Sequence, residues 1–311
     1  MSLLHQPLIK NFLNQEKMLQ ESIEEIESIF NSDVVVYYGI IEPILIRELT
    51  DVIRVMSENK NKRKRLTLLI SSYGGDFREV PIFFANIFDK KYYEEIYVIV
   101  NGKLQSAGTL LSFYADKLYV SNKYPIFSTF GMIDPIIDVQ DTMGNPGFVS
   151  AFIGLQTHGI PYEFIEKTDD IEQSLKINNN ITPPKGFESE LNLITSIKEM
   201  RRFAFDALIN HNLKKIKDDK QRAITAINLI NKLMYNGLYH HEHDITPDVL
   251  ERWGLIMHPL DRSTAKTFEE VFTYIKLISS YITNGQDGGS IATNYGNVLK
   301  CLIQTKDKSI F

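Results

Sequence analysis

One hydroxyl and a pair of glycines hold the candidate chemistry of this 311-residue chain. Ser106 lies in "NGKLQSAGTLLSFYADKLYVS", after the strand-like run "EIYVIV" and before an apolar helical pattern. Ala107 and Gly108 keep the space beside it small. Gly74 and Gly75 end another apolar run in "SSYGGD", and Ser106 follows Gly75 by 31 residues. Acyl transfer needs a nucleophile, a base for its proton, and donors for the developing oxyanion. Adjacent glycines let a backbone turn sharply and leave its N–H groups uncrowded. A serine at a helix start has amides and a dipole that favour negative charge. Each motif alone also fits a plain reading, in which Ser106 is an N-cap and Gly74-Gly75 a tight turn. The order strand, Gly-Gly, helix, strand, Ser-Ala-Gly, helix, strand carries more than either motif.

The elements that must position these residues follow from the apolar spacing. Asn14 to Phe30 reads as a helix, "DVVVYYGI" as a strand, and "EPILIRELTDVIRVMSENK" as a second helix. "LTLLISS" is a continuous apolar strand of the kind buried on both faces. A helix from about Arg78 to Phe88, the strand "EIYVIVNG", the Ser106 elbow with its helix, and "KLYVS" then follow. Alternating strands and helices imply a parallel sheet with right-handed crossovers. Ligands bind such sheets at the carboxyl ends of the strands, where Gly75 and Ser106 both fall. Beyond Asp134 the pattern weakens. "DVQDTMGNPGFVS" reads as loop, residues 148–158 as helix, and the stretch up to about residue 190 as irregular. Glu190 to Asn212, Asp218 to Asn236 and "TFEEVFTYIKLISSYI" read as helices. No internal repeat is present.

Composition is that of ordinary globular material, 43% hydrophobic and 23% charged, with a net charge of −5. The acidic balance disfavours nucleic acid as a general partner. Cys301 is the only cysteine, so no internal disulfide forms, which fits a reducing cytoplasm. No uncharged apolar stretch reaches the ~18 residues of a membrane span, and the start lacks a signal pattern. A soluble, cytoplasmic protein is expected.

"LTLLISSYGGD", "VIVNGKLQSAGTLLSFYADKLYVS" and "STFGMIDP" together resemble the ClpP/crotonase superfamily of serine peptidases. Within it they are most similar to the serine dehydrogenase proteinase-like branch, relatives of signal peptide peptidase A. "HHEHDITPDVLERWGL" is similar to that branch's T-H-D-Y-P-I-T…GL segment. The similarity spans roughly residues 34–134 and 237–255. It implies an α/β fold, a ClpP/crotonase-like repeated β-α-β superhelix with a helical C-terminal region. Residues 1–33 are then an N-terminal helical segment, 34–260 the peptidase-like domain, and 261–311 a C-terminal helix and tail. The resemblance further implies a Ser106 nucleophile, an oxyanion region of Gly74, Gly75 and Ala107, a peptide or protein substrate, no cofactor, and self-association into a homo-oligomer. Two other functions stay open, a catalytically inactive scaffold or peptide-binding ring and a crotonase-type acyl-CoA enzyme.

The base is not unique. The histidine that the Clp branch carries near the position of Asp134 is absent, so its triad cannot form there. His241-Glu242 matches the branch's His-Asp pair, with an imidazole that titrates near neutrality. Glu242 orients that imidazole or serves another group. A lysine, as in the signal peptide peptidase branch, is offered by Lys167 in "HGIPYEFIEKTDD" or by Lys198 on the following helix. A lysine base must be desolvated. Asp134, the third kind of candidate for the base, reads better as a structural turn group beside Pro135.

Other clusters read more plainly. His240, His241 and His243, with distant His258, lack metal-site spacing, so no metal is expected. "NKNKRKR" reads as a solvated loop before a buried strand. "NGQDGGS" lacks the frame of a phosphate loop and reads as a turn.

Overall fold

The computed structural model describes residues 5–89, 91–123, 126–140, 146–150, 187–234 and 244–283. Lys167, His240, His241, Glu242, His243 and the "NGQDGGS" segment lie outside these residues.

The centre is a parallel sheet, as the alternating pattern predicts. Its strands are β1 (Asp33–Tyr38), β2 (Arg65–Ser72), β3 (Glu95–Leu104), β4 (Lys117–Val120) and β10 (His258–Pro259), adjacent in that order. Helices α2 (Pro43–Ser57), α3 (Glu79–Asp89) and α4 (Ala107–Ser112) make the connections between β1 and β4. Pro43 opens α2 at a position where a missing N–H costs nothing. β3 outruns β4, which pairs only with its first half, from Tyr97↔Lys117 to Ile99↔Tyr119. After a short antiparallel pair, β5 (Asn122–Lys123) with β6 (Ile126–Phe127), strand β7 (Thr129–Phe130) takes a place beside the end of β3, with Lys103↔Thr129 and Leu104↔Phe130 in register. That exchange lies at the carboxyl end of the sheet, next to Gln105 and Ser106.

Both faces of the sheet are covered, which is why its strands read as unbroken apolar runs. Val35, Tyr37, Leu68, Ile70, Val98 and Val100 enter one core with α2, α3, α4, α5 (Phe187–Ala207), α6 (Asp219–Met234) and α7 (Pro247–Trp253). Val34, Val36, Leu69 and Ile99 enter a second core with α1 (His5–Phe30) and α8 (Arg262–Thr283), through Leu19, Ile23, Ile26, Ala265, Phe268 and Val271. Helices α1 and α8 thus form one layer. Buried Asn101 fastens it, donating from Nδ2 to the Phe268 carbonyl at 3.0 Å. Asp261 caps α8, accepting the Ser263 and Thr264 amides at 2.9 and 3.0 Å. No described helix is long and apolar enough to cross a membrane.

The structure departs from the sequence reading in four places. α1 begins at His5 rather than Asn14. The stretch read as loop holds an antiparallel pair, β8 (Ile136–Gln140) with β9 (Pro146–Ser150), because backbone pairing outweighs its Gly and Pro content. Residues 148–150, read as helix, belong to β9, and 151–158 lie outside the described residues. The helix expected to run to Asn212 ends at Ala207 in a π turn, Leu208–Asn212. Leu213 N–H bonds the Leu208 carbonyl at 2.8 Å, five residues back. Buried Asn212 pins this turn, donating to Ile256 O at 2.9 Å and accepting Ile256 N–H at 3.0 Å.

The basic run is engaged at the amino ends of the strands. Lys62 donates to the Tyr92 carbonyl, Arg63 to the Ser32 carbonyl, Lys64 pairs with Glu94 and Arg65 with Glu95.

His211 in the π turn stacks on Phe88 with ring centres 4.6 Å apart. Burial lowers its pKa, nearby Lys214 adds to that, and Asp116 opposes it. The folded protein therefore resists protonation that the unfolded chain accepts near pH ~6.5. His211 contributes fully above that pH, and its contribution drains away as the pH falls towards the lower folded value. In urea titrations between pH ~7 and ~5, wild type should lose stability faster than His211→Phe; matching slopes would rule this out. Phe268→Ala, which removes a fully buried ring, should cost about 3–5 kcal/mol in the same assay. A loss below about 1 kcal/mol would mean that α8 does not seal the sheet.

Candidate active site

The site is built where β2 and β3 end side by side. Ser72 pairs with Leu104, after a register irregularity between Ile70 and Ser72. The Gln105 amide continues the ladder, bonding the Ser72 carbonyl at 2.9 Å. Beyond Ser72 the chain turns through Gly74 and Gly75, at φ +95° and +139°. Ser72 Oγ accepts the Gly74 amide at 3.1 Å. Ile41, after β1, closes the turn from the other side: its N–H bonds Gly74 O at 2.7 Å and its carbonyl accepts Asp76 N–H at 2.8 Å. A Cβ on Gly75 would lie 2.1 Å from that carbonyl oxygen, and one on Gly74 would lie 2.8 Å from Cβ of Ser106. Both positive φ values and both clearances require glycine.

Ser106 sits against this turn with φ +50° and ψ −117°. A residue with a Cβ holds such a backbone at a cost of about 1–3 kcal/mol, and only where its surroundings fix it. Its side chain makes no capping hydrogen bond to α4. A helix cap has extended backbone and an oxygen bonded to the next turn, and Ser106 has neither. The residue is buried at the sheet edge, 9% exposed. Among the described residues, no acceptor pairs with the amides of Gly75 or Ala107. Ala107 is buried, and buried amides are almost always paired.

The neighbouring backbone is tightly held. Thr109 Oγ1 lies 2.7 Å from Leu104 O and 3.0 Å from Gly131 O, and accepts Gly131 N–H at 3.2 Å. A Cβ on Gly131 would come within 3.0 Å of Gln105 Cβ. Gly131 opens the "GMIDP" stretch, and Met132, Ile133 and Asp134 after it are buried.

The remaining candidates divide. Lys198 lies on α5, where its Nζ is buried and has no hydrogen-bond partner among the described residues. α5 is tied to the glycine turn by Arg78, which bonds Glu199 at 2.9 Å and Ser196 Oγ at 3.1 Å. The nearest described residue after His241 and Glu242 is Asp244. Its carboxylate meets Gln105, Lys103 and Thr129, and Ile245 pairs with Phe130 through two backbone bonds of 2.9 and 2.7 Å. His258 lies on β10 against Tyr119, and burial and then Lys215 and Lys117 lower its pKa. Among the described residues no group of His, Cys, Asp and Glu could hold a metal ion.

Sequence reasoning missed Ser72, Arg78, Thr109 and Asp244. Gly131 was within reach, because it stands in the same short motif as Asp134.

These features define an α/β protein whose functional edge is a strand-to-helix turn at the carboxyl end of a parallel sheet. No protein-family model matches the chain, and no curated protein matches it. Solved structures similar to it include the membrane-bound stomatin-specific protease 1510-N, in a mutant form, at 10% identity over 76% of this chain and 82% of that one, with a TM-score of 0.42. A second mutant of that protease, in complex with a substrate peptide, is similar at 10% identity over 74% and 76%, with a TM-score of 0.42. A mutant ClpP1 from Listeria monocytogenes is similar at 13% identity over 77% and 98%, with a TM-score of 0.38.

Gly75→Ala tests the turn. Its methyl would meet the Ile41 carbonyl at a φ that disfavours any side chain, so thermal unfolding should reveal a loss above about 1 kcal/mol. An unchanged Tm would show that the turn is not closed by Ile41.

Proposed function

We propose that this protein is a serine peptidase of the ClpP/crotonase superfamily with Ser106 as nucleophile. One observation carries the reading: Ser106 holds a strained backbone at a strand-to-helix turn, packed on Gly74, while its side chain caps nothing. Strain of this kind sits at functional sites, and a sharp turn of this type presents a nucleophilic oxygen in unrelated hydrolases. In the reaction, Ser106 Oγ attacks the peptide carbonyl carbon and its proton passes to the base. The Gly75 and Ala107 amides hold the oxyanion. Gly74 has given its N–H to Ser72, so its part is to leave room. The base then protonates the leaving amine, and water hydrolyses the acyl-serine. No cofactor takes part.

Two kinds of base fit. Lys198 brings an amine whose Nζ is buried and has no hydrogen-bond partner among the described residues. His241 stands three residues before Asp244, which bonds the side chain adjacent to Ser106. Lys167 is the third candidate. Asp134 is buried and serves a structural part, and Glu242 orients the imidazole or serves another group. The same reading makes the protein a cytoplasmic homo-oligomer.

A fluorophosphonate probe tests the reaction. Wild type should label at Ser106 and sediment above one protomer mass. Ser106→Ala and Ser106→Gly should not label, and Ser106→Gly should be the more stable by about 1 kcal/mol or more, because glycine relieves the strain. Among His241→Ala, Lys167→Ala and Lys198→Ala, the variant that loses labelling identifies the base. A folded, assembled wild type that never labels would favour the scaffold, and binding to coenzyme A thioesters would favour the crotonase-type alternative.

A further inference from the structure

The Asp244 carboxylate stands outside the groups assigned so far, yet three side chains converge on it. Oδ1 accepts from Gln105 Nε2 at 3.3 Å and from Thr129 Oγ1 at 3.4 Å, and Oδ2 lies 3.0 Å from Lys103 Nζ. Lys103 belongs to the end of β3, Gln105 follows it, and Thr129 belongs to β7. One acidic group therefore spans the place where β7 replaces β4 beside β3. Ile245 continues the attachment through its two backbone bonds to Phe130.

Gln105 is the hinge of this arrangement. Its amide bonds the Ser72 carbonyl, its Cβ packs so close to Gly131 that a side chain there would meet it at 3.0 Å, and Asp244 holds its side-chain end. The next residue is Ser106, whose backbone must be kept at φ +50°. We propose that Asp244 is a positioning residue that acts through Gln105 to keep the Ser106 turn in its strained form, an inference that rests on Ser106 as the nucleophile. The carboxylate is 38% exposed and Lys103 45% exposed. Ion pairs of that exposure add only ~0–1 kcal/mol to stability. The latch therefore acts on geometry: its loss should show in reactivity and local opening far more than in Tm.

The full-length protein is compared with Asp244→Ala, Asp244→Asn, Gln105→Ala and the double alanine variant. Three measurements are made, fluorophosphonate labelling kinetics, amide hydrogen exchange and thermal unfolding. Asp244→Ala should slow labelling about 10- to 100-fold through the maximal rate, with the probe's half-saturating concentration unchanged. Exchange across residues 104–108 should quicken while Tm stays close to wild type. Asp244→Asn keeps the acceptor for Gln105 and Thr129, so it should recover most of the rate. The double variant should be no slower than the slower single one, because both act on one link. Unchanged labelling in Asp244→Ala, or additive losses in the double variant, would overturn the proposal. If wild type itself fails to label, the peptidase reading falls and exchange alone decides: faster exchange at 104–108 in Asp244→Ala retains the latch, and unchanged exchange removes it.

Discussion

The contact between Gly74 and Ser106 constrains everything around it. A methyl group on the glycine would stand 2.8 Å from the serine Cβ. Two chain ends come that close only if the strands leading to them stop level. The Ser72↔Leu104 pairing and the Gln105 bond to Ser72 O provide that level ending. Ile41 adds a third segment, which clamps the glycine turn from the β1 side. The strain at Ser106 is therefore over-determined, by a ladder bond behind it, a glycine turn beside it and a helix in front.

That precision rests on a sheet that cannot shift. A one-residue slip in a strand exchanges its two faces. Here both faces are apolar, so alternation alone would not resist a slip. Shape and a few polar anchors supply the resistance. Ser32 and Thr67 hydroxyls meet at 2.5 Å between the strand starts, and Asn101 holds α8 by its backbone. Buried polar groups of this kind must find their partners, so they select one register where hydrophobic burial would accept two. α1 and α8 are thus part of the same apparatus: without them Val34, Val36, Leu69 and Ile99 would face water.

Legibility in the sequence follows the range of the forces involved. The parallel sheet was readable because double-sided burial writes itself as runs such as "LTLLISS". Gly74, Gly75 and Ser106 were readable because each follows a strand directly, and a backbone demand there shows as residue type. β8 and β9 were not, since local Gly and Pro argue for loop while pairing partners arrive from elsewhere. Asp244 was hidden for a related reason. Its three partners lie more than a hundred residues away in sequence, and an aspartate beside a histidine cluster draws attention to the histidines. Thr109 and Ser72 are common residue types in common places, and only the folded chain shows which backbone groups they satisfy.

Ser106 is also set apart by what is satisfied around it. Thr109, Gly131, Gln105 and Gly74 all have bonded polar groups, whereas two amides, one of them on buried Ala107, have no acceptor among the described residues. Two costs therefore meet at one point, backbone strain at Ser106 and unbonded donors on Gly75 and Ala107, while Gly74, Gln105, Thr109 and Gly131 beside them make bonds. A scaffold or binding ring would gain nothing from an uncapped serine in a strained turn, and an acyl-CoA site would need the donors without the hydroxyl. Acyl transfer to serine uses both, because the oxygen must be presented before the anion it creates can be held. The coincidence of the two costs, rather than either alone, is what favours that chemistry.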